Sequence, residues 1–281
     1  MISRLLNLIL IFLCVTFYSC EQNSTGVNNS EEYVNLKYPF TLNSFWYYTT
    51  KNVTVNIRPD SIKNYFNQDT LTGFGISEFI SDTVIYTDTL RILKNEFSLS
   101  GHSSVTYEYY LQTDSGLIRK AYLFSGSNLG PYRGDIMYEY NKKIFNSAED
   151  IFLRADLNLS NTDTLLTIDD PPVRVLKYPA ELNTDWSLFS SDYLKIRKKY
   201  TGFQNVSIFG NKFRCAVISR YFYFNSSLPD NNYIFTDYFS KEGIVKREIL
   251  IKDISILNKT GEQIGLIDLS ELSYVTIYNI R

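Results

Sequence analysis

Eleven residues occur twice in this chain, and that duplication limits its architecture more than any other feature. Leu36-Lys37-Tyr38-Pro39-Phe40-Thr41-Leu42-Asn43-Ser44-Phe45-Trp46 returns 140 positions later as Leu176-Lys177-Tyr178-Pro179-Ala180-Glu181-Leu182-Asn183-Thr184-Asp185-Trp186. Seven of the eleven positions are identical, and the two Trp of the chain occupy the same slot. A second landmark recurs in the same order. Asp114-Ser115-Gly116-Leu117-Ile118-Arg119-Lys120 follows an aromatic run with Tyr107, Tyr109 and Tyr110, and Lys241-Glu242-Gly243-Ile244-Val245-Lys246-Arg247 follows Tyr238 and Phe239. The two glycines stand 127 positions apart, so the second unit is 13 residues shorter between landmarks. Differences of that size are expected in surface loops, where added closure length costs little. Two landmarks repeating in order predict a tandem copy of one supersecondary unit.

The local pattern says what kind of unit. Val53-Thr54-Val55-Asn56-Ile57-Arg58, Val217-Ile218-Ser219-Arg220-Tyr221-Phe222-Tyr223-Phe224 and Tyr274-Val275-Thr276-Ile277-Tyr278 alternate with period two and are bounded by Asn, Asp, Gly and Ser. That is the pattern of antiparallel strands with one wet face. Helical periodicity is confined to Ser61–Asn67 and Ser147–Leu153. The expected class is all-β, with two tandem antiparallel units forming a curved sheet, a half-barrel or a sandwich. The expected boundaries are 33–157 for the first unit and 174–281 for the second. The stretch 158–173, with Asp169-Asp170-Pro171-Pro172, is expected to be an extended connector, because the Pro pair disfavours helix and continuous sheet.

Within each unit the Tyr-Pro step should lead into the first strand from a sheet edge, since Pro cannot donate to a ladder. Leu42 and Trp46, or Leu182 and Trp186, should share one side of an extended chain because their spacing is even. Each indole reads as a core plug, with a ligand-stacking platform at Trp46 and Trp186 as the functional alternative. Gly116 and Gly243 read as turn residues. The basic pairs that follow them should alternate in and out, as solvated faces that also blunt an edge.

The amino terminus carries a processing signal over residues 1–19: Arg4, an apolar run from Leu5 to Phe17, then Ser19-Cys20. The run is shorter than the roughly 20 residues of a membrane span. Phe17-Tyr18-Ser19-Cys20 resembles the lipobox of bacterial lipoproteins, which implies that Cys20 is acylated and becomes the first mature residue. The usual pattern has Leu and a small residue where Phe17 and Tyr18 stand. An ordinary secretory peptide or an uncleaved anchor is the plainer reading. After Cys20, Glu21 to Glu32 contains one apolar residue, Val27, so residues 20–32 are expected to be a flexible tether. Cys14 leaves with the signal and Cys20 takes the lipid. Cys215 then stands alone, on an alternating run with Phe213 and Val217, and reads as a small buried hydrophobe rather than a reactive thiol.

The chain also resembles a wider group. Many lipoproteins and secreted proteins of the Bacteroidota open a β domain with a motif like Y-F-P-L-x-x-G-N-x-W-x-Y, then carry G-x-F-x-x-x-x-V and later Y-Y-A-x-G-V-G-L-V-K. Here Tyr38-Pro39 through Trp46-Tyr47-Tyr48, Gly210-Asn211-Lys212-Phe213 through Ile218, and Tyr238-Phe239 through Gly243-Ile244-Val245-Lys246 are similar. The resemblance implies an uncharacterised cell-envelope lipoprotein with a curved β-sheet and implies no activity. Asp60-Ser61-Ile62, Asp69-Thr70-Leu71, Asp82-Thr83-Val84, Asp88-Thr89-Leu90 and Asp163-Thr164-Leu165 resemble the O-glycosylation sequon of exported Bacteroidota proteins, making Ser61, Thr70, Thr83, Thr89 and Thr164 candidate acceptors. They equally fit turn-to-strand junctions. On either reading they should lie at exposed loop or strand ends.

Net charge is −2 with no basic block, so nothing suggests nucleic acid. His102 is the single histidine, without a nucleophile motif beside it and without partners for a multi-His metal site. No phosphate-binding glycine loop is present. The carboxylate pairs Glu31-Glu32, Glu149-Asp150 and Asp169-Asp170 are expected on loops and solvated. No catalytic residue, cofactor or metal is therefore expected.

The leading expectation is a non-catalytic envelope lipoprotein, held to the membrane through an N-terminal lipid and binding or scaffolding a glycan, a lipid or an envelope protein. A carboxylate-dependent glycan hydrolase is the rival, recognisable by acids converging in a cleft. A lipid or glycan carrier is the third, recognisable by a groove in place of a packed core. The anchor has a direct check. Metabolic labelling with a fatty-acid analogue should tag the wild type and leave Cys20→Ala untagged; equal labelling, or a mature chain starting elsewhere than residue 20, would remove the lipoprotein reading.

Overall fold

The computed structural model describes residues 36–66, 70–99, 102–128, 135–147, 151 and 166–281. The signal, Cys20 and the tether lie outside these residues, as do Glu149, Asp150 and Thr164. The described residues fall within one compact unit, Glu32–Arg281, and they are nearly all strand.

Fourteen strands follow one another: β1 Phe45–Arg58, β2 Thr70–Ile85, β3 Asp88–Leu99, β4 His102–Thr113, β5 Gly116–Asn128, β6 Ile136–Tyr140, β7 Lys143–Phe145, β8 Thr167–Lys177, β9 Asp185–Ser190, β10 Leu194–Ile208, β11 Asn211–Phe224, β12 Tyr233–Ser240, β13 Gly243–Asn258 and β14 Gln263–Asn279. A 3₁₀ turn, Asp60–Tyr65, links β1 to β2. The sheet order is β8-β5-β4-β3-β2-β1-β14-β13-β12-β11-β10-β9, with the β6–β7 hairpin attached to β13. All pairings are antiparallel. The sheet is thus barrel-like and nearly closed, and it consists of two six-stranded meanders. The first runs β1-β2-β3-β4-β5-β8 and the second β9 to β14, joined by the β1–β14 ladder from Phe45↔Asn279 to Arg58↔Leu266.

The duplication is visible bond for bond at the start of each meander. Asn43 and Asn183 both take positive φ, 61° and 66°, a conformation that Asn tolerates better than most residues. Their N–H groups donate to Phe79 and Tyr200 carbonyls, each at 2.8 Å, and the N–H groups of Phe79 and Tyr200 donate back to Ser44 and Thr184, each at 3.0 Å. The glycine landmarks match too. Thr113 Oγ1 donates to the Gly116 carbonyl at 3.2 Å and Ser240 Oγ to the Gly243 carbonyl at 3.3 Å.

Several expectations from sequence are corrected. The connector assigned to 158–173 is not a linker where it is described, because Thr167–Val173 opens β8 and pairs with β5. Its Pro171-Pro172 step is accommodated as a bulge, with Ile168 and Val173 in register and the residues between them out of it. The Tyr-Pro steps do not lead in from an edge at β1, which lies inside the sheet between β2 and β14. Nor are Leu and Trp on one face, since the turn at Asn183 leaves Leu182 55% exposed while Trp186 is 5% exposed. The 13 extra residues of the first unit are not merely a loop. They lengthen the first strand, Phe45–Arg58 against Asp185–Ser190, and supply the 3₁₀ turn whose Ile62 is buried.

Two apolar clusters form the core. One gathers Tyr38, Trp46, Phe79, Tyr178, Trp186 and Tyr200 with their neighbours; the other joins Ile62, Ile136, Phe145 and Ile151 to Ile251, Ile254 and Ile267. Trp46 is fully buried, lies 5.4 Å from the Tyr38 ring and 5.9 Å from Phe79, and donates its indole N–H to the Glu242 carbonyl. The first repeat's plug is therefore seated on the second repeat's glycine turn. Gly243 is required there: it has φ 106°, and a Cβ would stand 3.0 Å from the indole nitrogen. Trp46→Ala should destabilise by about 3–5 kcal/mol and Gly243→Ala by about 1–3 kcal/mol through overpacking. Because the second clash needs the indole, urea unfolding of the double variant should show less than the sum of the two losses.

Candidate functional site

The inward face of the sheet does not pack solid. Period-two alternation sends Thr50 and Asn52 of β1, Ser77 of β2, Asn95 of β3 and Glu108 of β4 to the same side, and that side borders a cavity of about 720 Å³. The cavity touches both clusters, through Tyr38 and Phe79 on one and Ile196 and Ile249 on the other.

A hydrogen-bonded chain crosses five neighbouring strands on this face. Ser77 Oγ donates to Asn95 Oδ1 at 2.6 Å, and Asn95 Nδ2 donates to Glu108 Oε2 at 2.9 Å. Arg119 Nη1 donates to Glu108 Oε1 at 3.1 Å. The same guanidinium grips Asp169 of β8 with two bonds, at 2.8 and 3.1 Å, the planar two-point geometry that suits Arg and carboxylate. Burial alone would lower the Arg119 pKa, but its bond to Asp169 and the Glu108 charge raise it further above its ordinary value.

The second repeat builds a denser charge cluster. Asp237 is fully buried, with Arg247 Nε at 2.6 Å, Arg220 Nη2 at 3.0 Å and Lys198 Nζ at 3.7 Å. Burial alone would raise the Asp237 pKa, yet the three cations hold it well below the usual carboxylate range. Each repeat thus sets a carboxylate on its fourth strand against an arginine on its fifth: Glu108 with Arg119, and Asp237 with Arg247.

This overturns the reading of the basic pairs as solvated. Lys120 and Lys246 take partly exposed partners, Asp88 and Glu248, but Arg119 and Arg247 turn inward on strands that are not edges. Asp169 is likewise no loop carboxylate, with a side chain 8% exposed. Sequence reading missed Lys198, Arg220 and Asp237 altogether. The available signal was a lone charge on the apolar face of an alternating run: Arg220 shares its face with Ile218 and Phe222, and Asp237 with Phe235 and Phe239.

The other candidates fall elsewhere. Both indoles are buried and neither borders the cavity, so Trp46 and Trp186 are not stacking platforms in this structure. Cys215 is fully buried, and burial together with Glu242 pushes its thiol up to about 12. His102 opens β4. Ser61, Thr70 and Thr89 are exposed in the 3₁₀ turn and at the starts of β2 and β3, while Thr83 is half-buried near the end of β2. Among the described residues no cluster of His, Cys, Asp and Glu is arranged to hold a metal ion.

No protein-family profile matches the chain, and no curated protein does. Two solved structures overlap it. One is a β-barrel-like protein of domain of unknown function DUF1849 from Brucella abortus, at 10% identity and TM-score 0.36, covering 86% of this chain and 99% of that one. The other is a candidate exported protein with a YmcC-like fold from Bacteroides fragilis, at 9% identity and TM-score 0.29, covering 86% and 98%. Neither likeness assigns an activity.

The charge cluster makes a stability prediction. A carboxylate whose folded pKa is depressed contributes stability above its unfolded pKa and loses it as pH falls. The wild type should therefore weaken as pH drops below about 4. Asp237→Asn should be weaker by about 3–5 kcal/mol at neutral pH, because its cations lose their buried counter-charge, and its acid profile should be flatter. Denaturant unfolding from pH 7 to pH 3 reads both.

Proposed function

We propose that this chain is a non-catalytic binding protein of the bacterial cell envelope, anchored through Cys20, that holds a small ligand inside its sheet. The supporting observation is the cavity of about 720 Å³, a size at which pockets enclose most of a ligand's surface. Ser19-Cys20 and the polar tether support the location. The interior favours a carrier over a pure scaffold, since a scaffold needs only a packed core.

The hydrolase reading has one observation in its favour, because Glu108 and Asp169 do converge in the cavity. They converge, however, on the same guanidinium. A general acid must present its carboxyl group to the substrate, and the oxygens of these two are already engaged, Glu108 by Asn95 and Arg119 and Asp169 by both bonds from Arg119.

The test is a thermal-shift screen against a chemically mixed library of soluble metabolites, lipids and oligosaccharides. At least one compound class should raise the melting temperature of the wild type and fail to do so for Ser77→Trp, whose added indole fills the cavity. Ser77→Trp must still unfold cooperatively for that comparison to count, and Asn95→Trp serves as a second blocked variant. A screen in which no class stabilises the wild type counts against the proposal.

A further inference from the structure

The interior says more about what the ligand is, provided the cavity is a binding site as proposed above. One wall is built from short hydroxyl and amide groups around a single carboxylate, Glu271, which accepts from Ser273 Oγ at 3.2 Å. Thr50 Oγ1 and Ser273 Oγ share a hydrogen bond at 2.8 Å, and Ser104 and Thr106 of β4 also line the cavity. Asn52, two residues along β1 from Thr50 and on the same face, is 6% exposed, and its Oδ1 is buried with no hydrogen-bond partner. A buried acceptor left without a donor is costly, so such an atom marks a place where a ligand donor completes the structure.

The charged groups point the same way. Arg119 is held by Glu108 and Asp169, and Asp237 is held by Lys198, Arg220 and Arg247. A strongly ionic ligand would compete with counter-charges already in place. A hydrocarbon chain would bury hydroxyls and amides against groups that cannot bond to them. A neutral molecule rich in hydroxyls meets neither obstacle.

The way in is set by backbone chemistry. The two terminal strands of the sheet, β8 and β9, approach each other: the Trp186 indole donates to the Arg174 carbonyl at 3.0 Å and Lys177 Nζ to the Asp185 carbonyl at 3.3 Å. Yet no ladder joins them among the described residues. Pro171 and Pro172 have no N–H to offer and bulge out of register. Both lips of this seam border the cavity, β8 through Asp170, Pro171 and Pro172 and β9 through Ser187, Phe189 and Ser190. The cavity therefore continues sideways into the seam, where a ligand longer than the cavity has room to project.

We infer that the ligand is an uncharged glycan strand, seated against the Thr50, Asn52 and Ser273 wall and leaving the sheet between β8 and β9. The experiment uses the full mature chain. It is screened on an immobilised panel of neutral oligosaccharides, and each glycan that binds is titrated as a trimer and a hexamer by calorimetry. Palmitate and inorganic phosphate serve as the apolar and anionic probes. At least one neutral glycan should bind, the hexamer at least as tightly as the trimer, and Asn52→Leu should weaken binding by about tenfold or more with no loss of melting temperature. Hexamer binding more than about tenfold weaker than trimer binding would overturn the lateral exit. Binding of palmitate or phosphate, blocked by Ser77→Trp, without binding of any neutral glycan would leave the cavity as a binding site and overturn the glycan. Absence of binding by all three probe classes would overturn the glycan and count against the binding site itself.

Discussion

Every strand at the border of a sheet exposes a row of N–H and C=O groups that must be paired, covered or left to solvent. A sheet of two six-stranded meanders has two places where the meanders can meet. At one, β1 and β14 zip together from Phe45↔Asn279 to Arg58↔Leu266. At the other, β8 and β9 stand side by side without a ladder. Full closure would remove both borders, as in a barrel. Here one border remains, and the interior is reached through it.

What lines that interior follows from the same geometry. A closed sheet this wide has more inward-facing positions than two apolar clusters can fill, so some positions must carry groups that tolerate a cavity. Polar side chains do so only when their own bonding is met. The chain from Ser77 to Asp169 and the cluster around Asp237 meet it laterally, from strand to neighbouring strand. Such networks are weak contributors to stability against an apolar alternative, and their value here is to keep an open interior ordered. Asn52 Oδ1 is the conspicuous unmet atom on this wall.

The all-β class and the duplication were legible because both rest on periodicity and order along the chain. The paired turns at Asn43 and Asn183, with matching bonds to Phe79 and Tyr200, are what the repeated eleven residues encode. The cavity was not legible. A strand with one polar face reads the same whether that face meets bulk water or a lumen, so nothing in the pattern set Thr50, Asn52 and Lys198 apart. Asp169 was misplaced for a related reason: Asp-Asp-Pro-Pro has the composition of a loop, and only the β5 ladder shows that it is a bulged strand. The border at β1 was misjudged because strand order cannot be read from a single strand's pattern.

The two copies differ most where it matters for access. Had the first strand of each meander been the same length, both junctions would have had the same number of backbone groups to pair. Instead β1 runs Phe45–Arg58, long enough for its second half, Val53 to Arg58, to continue the ladder on β14, and its far end is fixed by Arg58 bonding to Asp253 and Asp268. Its counterpart β9 ends at Ser190. Among the described residues no part of it forms a ladder with β8, where the Pro171-Pro172 bulge removes two donors that an approaching strand would need. The extra length on one copy and the missing donors beside the other act together. They convert a duplicated unit, which by symmetry would shut on both sides, into a sheet with one sealed junction and one opening onto a polar interior.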